Sequence, residues 1–136
     1  MKQEINFYEV DEDLFKAIGP VVLKILDEQK TAIIFVKDVD KMKKLDEVLW
    51  TFGRNKFVPH ATISDPDFTP SQQPVLISNL EENTNNADYL IFLDEPEIDF
   101  TKQFSRLFYF FENVNQCQKI KPTKSFKKIN GKWLVN

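Results

Sequence analysis

Histidine and cysteine are the side chains that most often do chemistry near neutral pH, and this sequence of 136 residues has one of each, His60 and Cys117. A lone imidazole rules out a His-rich metal site and a His pair for acid and base work. Following Pro59 in a loop-like stretch, His60 reads as an imidazole hydrogen-bonded to backbone. The enzymatic alternative is a small hydrolase pairing His60 with a carboxylate such as Asp65. Cys117 has no second cysteine to bridge to and no sequence signal of a cationic helix N-terminus or a partner histidine, so it reads as an inert thiol. The acidic runs Asp11-Glu12-Asp13 and Asp94-Glu95-Pro96-Glu97 match no calcium-loop spacing and read as solvated caps and loops. Phosphate binding needs glycines in the first strand-to-helix loop, where backbone amides approach a pyrophosphate. That loop is Glu9-Val10-Asp11-Glu12-Asp13, which repels phosphate, and neither GxGxxG nor GxxxxGKS/T occurs anywhere. The expectation is a chain with no catalytic residue, no cofactor, no metal and no small-molecule substrate.

The elements that would carry any site follow from periodicity. INFYEV at 5–10 is a short strand-like run, and Asp11 or Asp13 can cap the helix after it. Leu14, Phe15, Ile18, Val21, Val22, Ile25 and Leu26 recur at three- and four-residue steps, the stripe of an amphipathic helix, with Gly19-Pro20 predicting a kink or a late start. TAIIFV at 31–36 is a strand covered on both faces. Asp38 then caps a second helix to about Phe52, with Met42, Leu45, Val48, Leu49 and Phe52 as its stripe and Gly53 as its stop. Residues 54–73 read as a loop in which VPHATIS can add a short extended piece. PVLISN at 74–79, ADYLIFLD at 87–94 and SRLFYFFE at 105–112 complete a set of about five strands. This alternation predicts a single α/β domain over 1–136, with three layers and a mainly parallel central sheet. Residues 113–136 differ in kind: they are basic, polar and interrupted by Pro122 and Gly131, and predict one short helix near 122–129 and a loosely packed end.

Composition narrows the class. Apolar residues make up 42% and charged residues 29%, the balance of a folded globular chain rather than a disordered one. The opening MKQEINFYEV meets charge at once, no apolar run approaches the length of a bilayer span, and the single cysteine fits a reducing compartment. Cytoplasm, with no membrane partner, is the expectation. The net charge of −3 hides an asymmetry: residues 1–101 carry 10 Lys/Arg against 20 Asp/Glu, and residues 102–136 carry 8 against Glu112 alone. A basic tail on an acidic body attracts either nucleic acid or an acidic peptide.

Two aromatic residues stand out. Trp50 falls at the edge of the second helix's stripe, and Phe57 sits in the loop between Lys56 and Val58. Either closes the core from outside or anchors a partner. Residues 45–60, LDEVLWTFGRNKFVPH, resemble the signature of the chi subunit of bacterial DNA polymerase III, matched here as Leu45-Asp46-Glu47, Leu49-Trp50-Thr51-Phe52 and Phe57-Val58-Pro59-His60. Asn6-Phe7-Tyr8, Gln73-Pro74-Val75, Asn86-Ala87-Asp88 before Leu90-Ile91-Phe92-Leu93, and Phe100, Phe104 and Arg106 follow in the family's order, so the resemblance spans about residues 5 to 112.

The resemblance implies a Rossmann-like fold without nucleotide chemistry. It also implies a non-catalytic accessory role at the clamp loader, linking the psi subunit to the acidic C-terminal tail of the single-stranded DNA-binding protein and touching DNA only indirectly. Trp50 and Phe57 then fall at positions linked to partner binding, Phe57 at the one that docks psi. The C-terminus departs from the family: relatives close with an Arg-rich helix, whereas QKIKPTKSFKKINGKWL has Pro122 and no Arg. Lysine offers a point charge where arginine offers a planar fork. The expected tail-peptide contacts are Lys119, Lys121, Lys124, Lys127 and Lys128, with Phe126 or neighbouring apolar side chains receiving the peptide's terminal apolar residue. The alternative from the residues alone is a single-stranded nucleic-acid-binding module acting through the same basic segment.

Overall fold

The computed structural model describes residues 3–11, 13–51, 61–63, 69, 73–112, 114–129 and 132–135. Strand β1 (Glu4–Val10) leads into helix α1 (Leu14–Asp27), whose first turn is capped by Asp13: its side chain accepts a hydrogen bond from the Phe15 N–H at 2.9 Å. The helix starts at Leu14 and runs through Pro20. Ile18, Val22 and Ile25 hold it on the sheet, each burial contributing roughly 1.5–3 kcal/mol. It ends on Gln29, whose φ of 60° is left-handed; the Gln29 N–H donates to the Leu26 carbonyl and the Lys30 N–H to the Ile25 carbonyl. That closure normally uses glycine.

Strand β2 (Ala32–Phe35) is followed by α2 (Val39–Thr51), whose cap is Asp38, accepting from the Asp40 N–H at 2.9 Å. Then come β3 (Ala61–Thr62), β4 (Val75–Ser78), β5 (Tyr89–Phe92), the short helix α3 (Ile98–Thr101) and β6 (Arg106–Glu112). The chain closes with β7 (Lys124–Ile129) and β8 (Lys132–Val135). The predicted end of α2 near Phe52 and its stop at Gly53 lie outside the described residues.

All eight strands form one sheet in the order β3-β4-β2-β5-β6-β1-β7-β8, parallel except for the β7–β8 hairpin. This is not the strand order of the dinucleotide-binding fold. Its faces have separate cores. The first gathers Val10, Ile34, Ile77, Ile91 and Phe110 under α1 and α2, with Ile18, Val22, Leu45 and Leu49 from the helices. The second gathers Phe7, Ile33, Phe35, Phe92 and Tyr109 under Phe100, Phe104 and Ile120. Crossovers that carry the chain toward β3, through α1 and α2, lie on the first face. Those that carry it the other way, through α3 and through residues 114–123, lie on the second, as a single crossover hand requires.

Two expectations are corrected. Among the described residues the sheet has eight strands rather than about five, and residues 124–129 form a strand rather than a helix. One cause serves the second correction and two of the added strands, β7 and β8, while β3 falls within the short extended piece expected near residues 58–64. Pro122 does not by itself forbid a helix, since α1 runs through Pro20; what decides is that β1 would otherwise be a bare sheet edge. Thr123 seats the segment on that edge: its N–H donates to the Ile5 carbonyl at 2.7 Å, and its Oγ1 accepts from the Ile5 N–H at 2.9 Å. Lys124–Lys127 then run parallel to Asn6–Glu9, and β8 folds back on them.

Candidate functional site

In a parallel α/β sheet, ligands bind beyond the carboxyl ends of the strands, where backbone amides are bare. Here those amides hold the chain's own carboxylates. Glu112 Oε1 accepts from the Leu14 N–H at 3.2 Å, at the start of α1. Asp94 Oδ2 accepts from the Lys37 N–H at 2.9 Å, with Lys41 Nζ 3.7 Å from its other oxygen. This end of the sheet presents negative charge where a phosphate would need positive. Among the described residues, no group of three or more His, Cys, Asp or Glu is placed to hold a metal ion, and no helix is long and apolar enough to cross a membrane.

The tail-proximal edge has a different character. On the first face, Tyr8 stacks on Phe110 (centroids 4.8 Å apart, planes 16° from parallel) and on Phe126 (5.1 Å, 12°). Register explains this, since Tyr8 lies opposite both Phe110 in β6 and Phe126 in β7. Trp133 meets Tyr8 edge-on at 5.2 Å, and the Lys128 ammonium lies 5.6 Å from the Trp133 ring centre. Burial pushes the Tyr8 hydroxyl above its usual range, against the hydrogen bond it accepts from Asn6. Beside these rings a groove of about 240 Å³ opens between α1 and the sheet, bounded by Tyr8, Val21, Lys24, Arg106 and Trp133. The Arg106 guanidinium covers Phe108 at 4.8 Å, and its Nε lies 3.2 Å from Glu4.

The six expected tail contacts separate. Strand alternation puts Lys124, Phe126 and Lys128 on the first face and Lys127 on the second, where Lys127 Nζ is 3.5 Å from Glu9. Lys121 is exposed on the crossover. Lys119 belongs to a clamp on the second face. Glu95 accepts backbone N–H bonds from Gln118 (3.0 Å), Lys119 (2.9 Å) and Ile120 (2.8 Å), and Lys119 Nζ pairs with Glu97 at 3.2 Å. Burial works to raise the Glu95 carboxyl, but the three amides outweigh it and hold it below the usual carboxylate range. Burial and the Glu95 carboxylate push the neighbouring Cys117 thiol up to about 12. Tyr109, whose hydroxyl accepts from the Gln116 N–H at 3.1 Å, is likewise raised to about 12 by burial.

At the other end of the sheet, α2 lies on β3 and β4. Leu45 and Leu49 are buried in its core side, while Trp50 is 45% exposed. A shallow groove of about 210 Å³, lined by Val39, Met42, Lys43, Asp46, Glu47 and Thr62, runs along the same helix. Phe57, His60 and Asp65 lie outside the described residues. Sequence reasoning missed Tyr8, Arg106 and Trp133 as members of an aromatic, basic edge. The available signal was the alternation of Phe126 with Lys124 and Lys128, which fits a strand and sets those side chains on one face.

The model of the DNA polymerase III chi subunit family (HolC) matches residues 1–132. A protein of Rickettsia prowazekii (strain Madrid E) described as a probable DNA polymerase III subunit chi is 30% identical over 113 residues, which span 77% of this chain and 67% of that protein.

Proposed function

Because the chain belongs to the DNA polymerase III chi subunit family, we propose that it is a non-catalytic adaptor in DNA replication. It links the psi subunit of the clamp loader to the acidic C-terminal tail of single-stranded DNA-binding protein, in the cytoplasm. The observation that carries this reading is the distance in the fold between its two candidate surfaces. Trp50 rides on α2 above β3 and β4 at one end of the strand order, and the basic, aromatic β7–β8 hairpin forms the other end. A bridge needs two surfaces that do not compete, and the separation of these two candidates supports that reading.

On this reading Trp50, with Phe57, anchors psi, and aromatic anchors of this kind dominate interface energetics. Lys124 and Lys128 draw the acidic tail to the first face of the hairpin, Lys119, Lys121 and Lys127 extend the positive field around it, and Phe126 with its ring neighbours offers the apolar contact. A single-stranded nucleic-acid ligand is less well served. Stacking a base needs an open ring face, and both faces of Tyr8 are taken by Phe110 and Phe126.

Calorimetry on the full chain tests the adaptor reading. Trp50→Ala is expected to weaken psi binding tenfold or more, roughly the 1–2 kcal/mol or above of an interface anchor, while leaving the tail peptide's affinity unchanged. Changing Lys124, Lys127 and Lys128 to Glu is expected to do the reverse. Undetectable tail binding at low salt, or one variant weakening both partners, overturns it. A gel shift with single-stranded DNA and the isolated chain decides the nucleic-acid alternative.

A further inference from the structure

Among the described residues, strand β8 ends the sheet with its outer hydrogen-bonding edge open. Nothing among them pairs with its outer side, and all four residues of β8 are exposed. Proteins normally blunt such an edge with charge, proline, a bulge or very short length. The opposite edge follows that rule among the described residues, where β3 has two. Strand β8 does not: after Lys132 it presents Trp133, Leu134 and Val135, exposed by 37%, 50% and 74%. Alternate residues of an antiparallel strand turn their N–H and C=O groups away from the partner strand, so β8 offers outward donors and acceptors at two of its four positions.

We infer that the β8 edge is a docking site for an extended acidic peptide, which adds to the sheet as a ninth strand. Charge selects the occupant. Residues 113–136 contain six lysines and no Asp or Glu, and Lys124, Lys127, Lys128 and Lys132 all lie on the hairpin. A second copy of this chain paired edge to edge would set those lysines against their equivalents, whereas an acidic strand meets opposite charge. The two faces specify the pattern. Trp133 and Val135 share the first face with Lys128 and Phe126, their register partners, and Lys132 and Leu134 share the second with Ile129 and Lys127. A strand beside β8 is therefore best matched when apolar side chains fall next to Trp133 and Val135 and carboxylates fall next to Lys132. This alternation is a different requirement from a terminal apolar anchor, and main-chain bonds supply part of the affinity. The inference rests on reading the hairpin as the acidic-peptide side, and it adds the mode of binding.

The test uses the full chain and an alternating Val–Glu peptide of about eight residues, a common strand length. Two further versions are N-methylated at every second residue, one in each register, and a fourth replaces Glu with Lys. Calorimetry at low salt is expected to show binding of the parent peptide, loss of about tenfold or more in one methylation register and little change in the other, because only alternate amides face β8. The Val–Lys peptide is expected not to bind, and amide exchange at residues 132–135 is expected to slow in the complex. Equal binding of both methylated peptides, no binding of the parent, or equal binding of the Val–Lys peptide overturns strand addition. So does a concentration-dependent dimer of the free chain that the parent peptide cannot dissociate, since a second copy would then hold the edge. If the natural tail peptide binds while methylation register makes no difference, the adaptor reading stands and strand addition falls. Register-dependent binding of the Val–Glu peptide with no binding of the natural tail gives the reverse.

Discussion

Glu95 shows how much of this molecule turns on single side chains whose role is invisible in sequence. In Asp94-Glu95-Pro96-Glu97 it reads as one of several solvated carboxylates, yet its two oxygens take three backbone N–H groups from residues 118–120 and so hold the crossover that delivers the chain to β7. Its folded pKa is depressed, so its stabilising contribution is complete above the ordinary carboxylate range and is lost as pH falls through the lower folded value. Glu95→Gln is expected to cost about 1 kcal/mol at neutral pH, a figure already reduced for solvent screening, and to cost nothing at a pH below the folded value. Paired urea titrations at neutral and acidic pH check the sign. Cys117 supplies a second readout. With its thiol pushed up to about 12 it is expected to alkylate very slowly at pH 8, and Glu95→Gln is expected to speed the reaction by lowering that value and freeing the segment. Equal alkylation rates in the two proteins would mean that Glu95 does not hold this loop. Other residues were more legible: Asp38 caps α2 as expected and Asp13, one of two candidates, caps α1, and Trp50 is exposed because it falls at the edge of a stripe whose buried members are Met42, Leu45 and Leu49.

Elements built from local pattern were readable in sequence, and elements built from tertiary demand were not. Strands β2, β4 and β5 are continuous apolar runs because both faces are covered, which is a local signature. Strand β7 has little such signature: KSFKKI is mostly polar, and what makes it a strand is the open edge of β1 and the ring of Tyr8 waiting for Phe126. Helix α1 carries the opposite lesson. Gly19-Pro20 is a local breaker signal, overridden because Ala17, Ile18, Val22 and Ile25 bury a stripe that spans it. The end of that helix is also locally imperfect. Gln29 occupies a left-handed position at which a Cβ is unfavourable by roughly 1 kcal/mol, and glycine is not. Gln29→Gly is therefore expected to stabilise the protein by up to about 1 kcal/mol, or about 3 °C in Tm, less whatever the unfolded chain gains in freedom. Thermal unfolding by circular dichroism measures it, and a decrease in Tm would show that the Gln29 side chain makes a contact worth more than the backbone strain.

At the scale of the whole molecule, the adaptor reading makes a demand that the sheet is suited to meet. The α2 side and the β7–β8 hairpin stand at opposite ends of a strand order whose intervening strands β2, β5 and β6 are buried on both faces and packed into two cores. A close-packed interior transmits coupling only where an element has two discrete arrangements, and each strand here is held in register by its neighbours. Two ligands bound at the ends should therefore ignore each other thermodynamically, and their coupling factor should be close to one. The acidic tail peptide is expected to bind the chain with the same Kd, within about twofold, whether or not psi is already bound, while raising salt weakens the tail by screening its lysine contacts. Because coupling is reciprocal, psi affinity is likewise expected to be unchanged by a saturating tail peptide. Titrating the tail into the free chain and into its psi complex, at two salt concentrations, measures both quantities. A tenfold change in either direction would mean that the surfaces communicate, and the chain would then be a switch between its partners rather than a passive bridge.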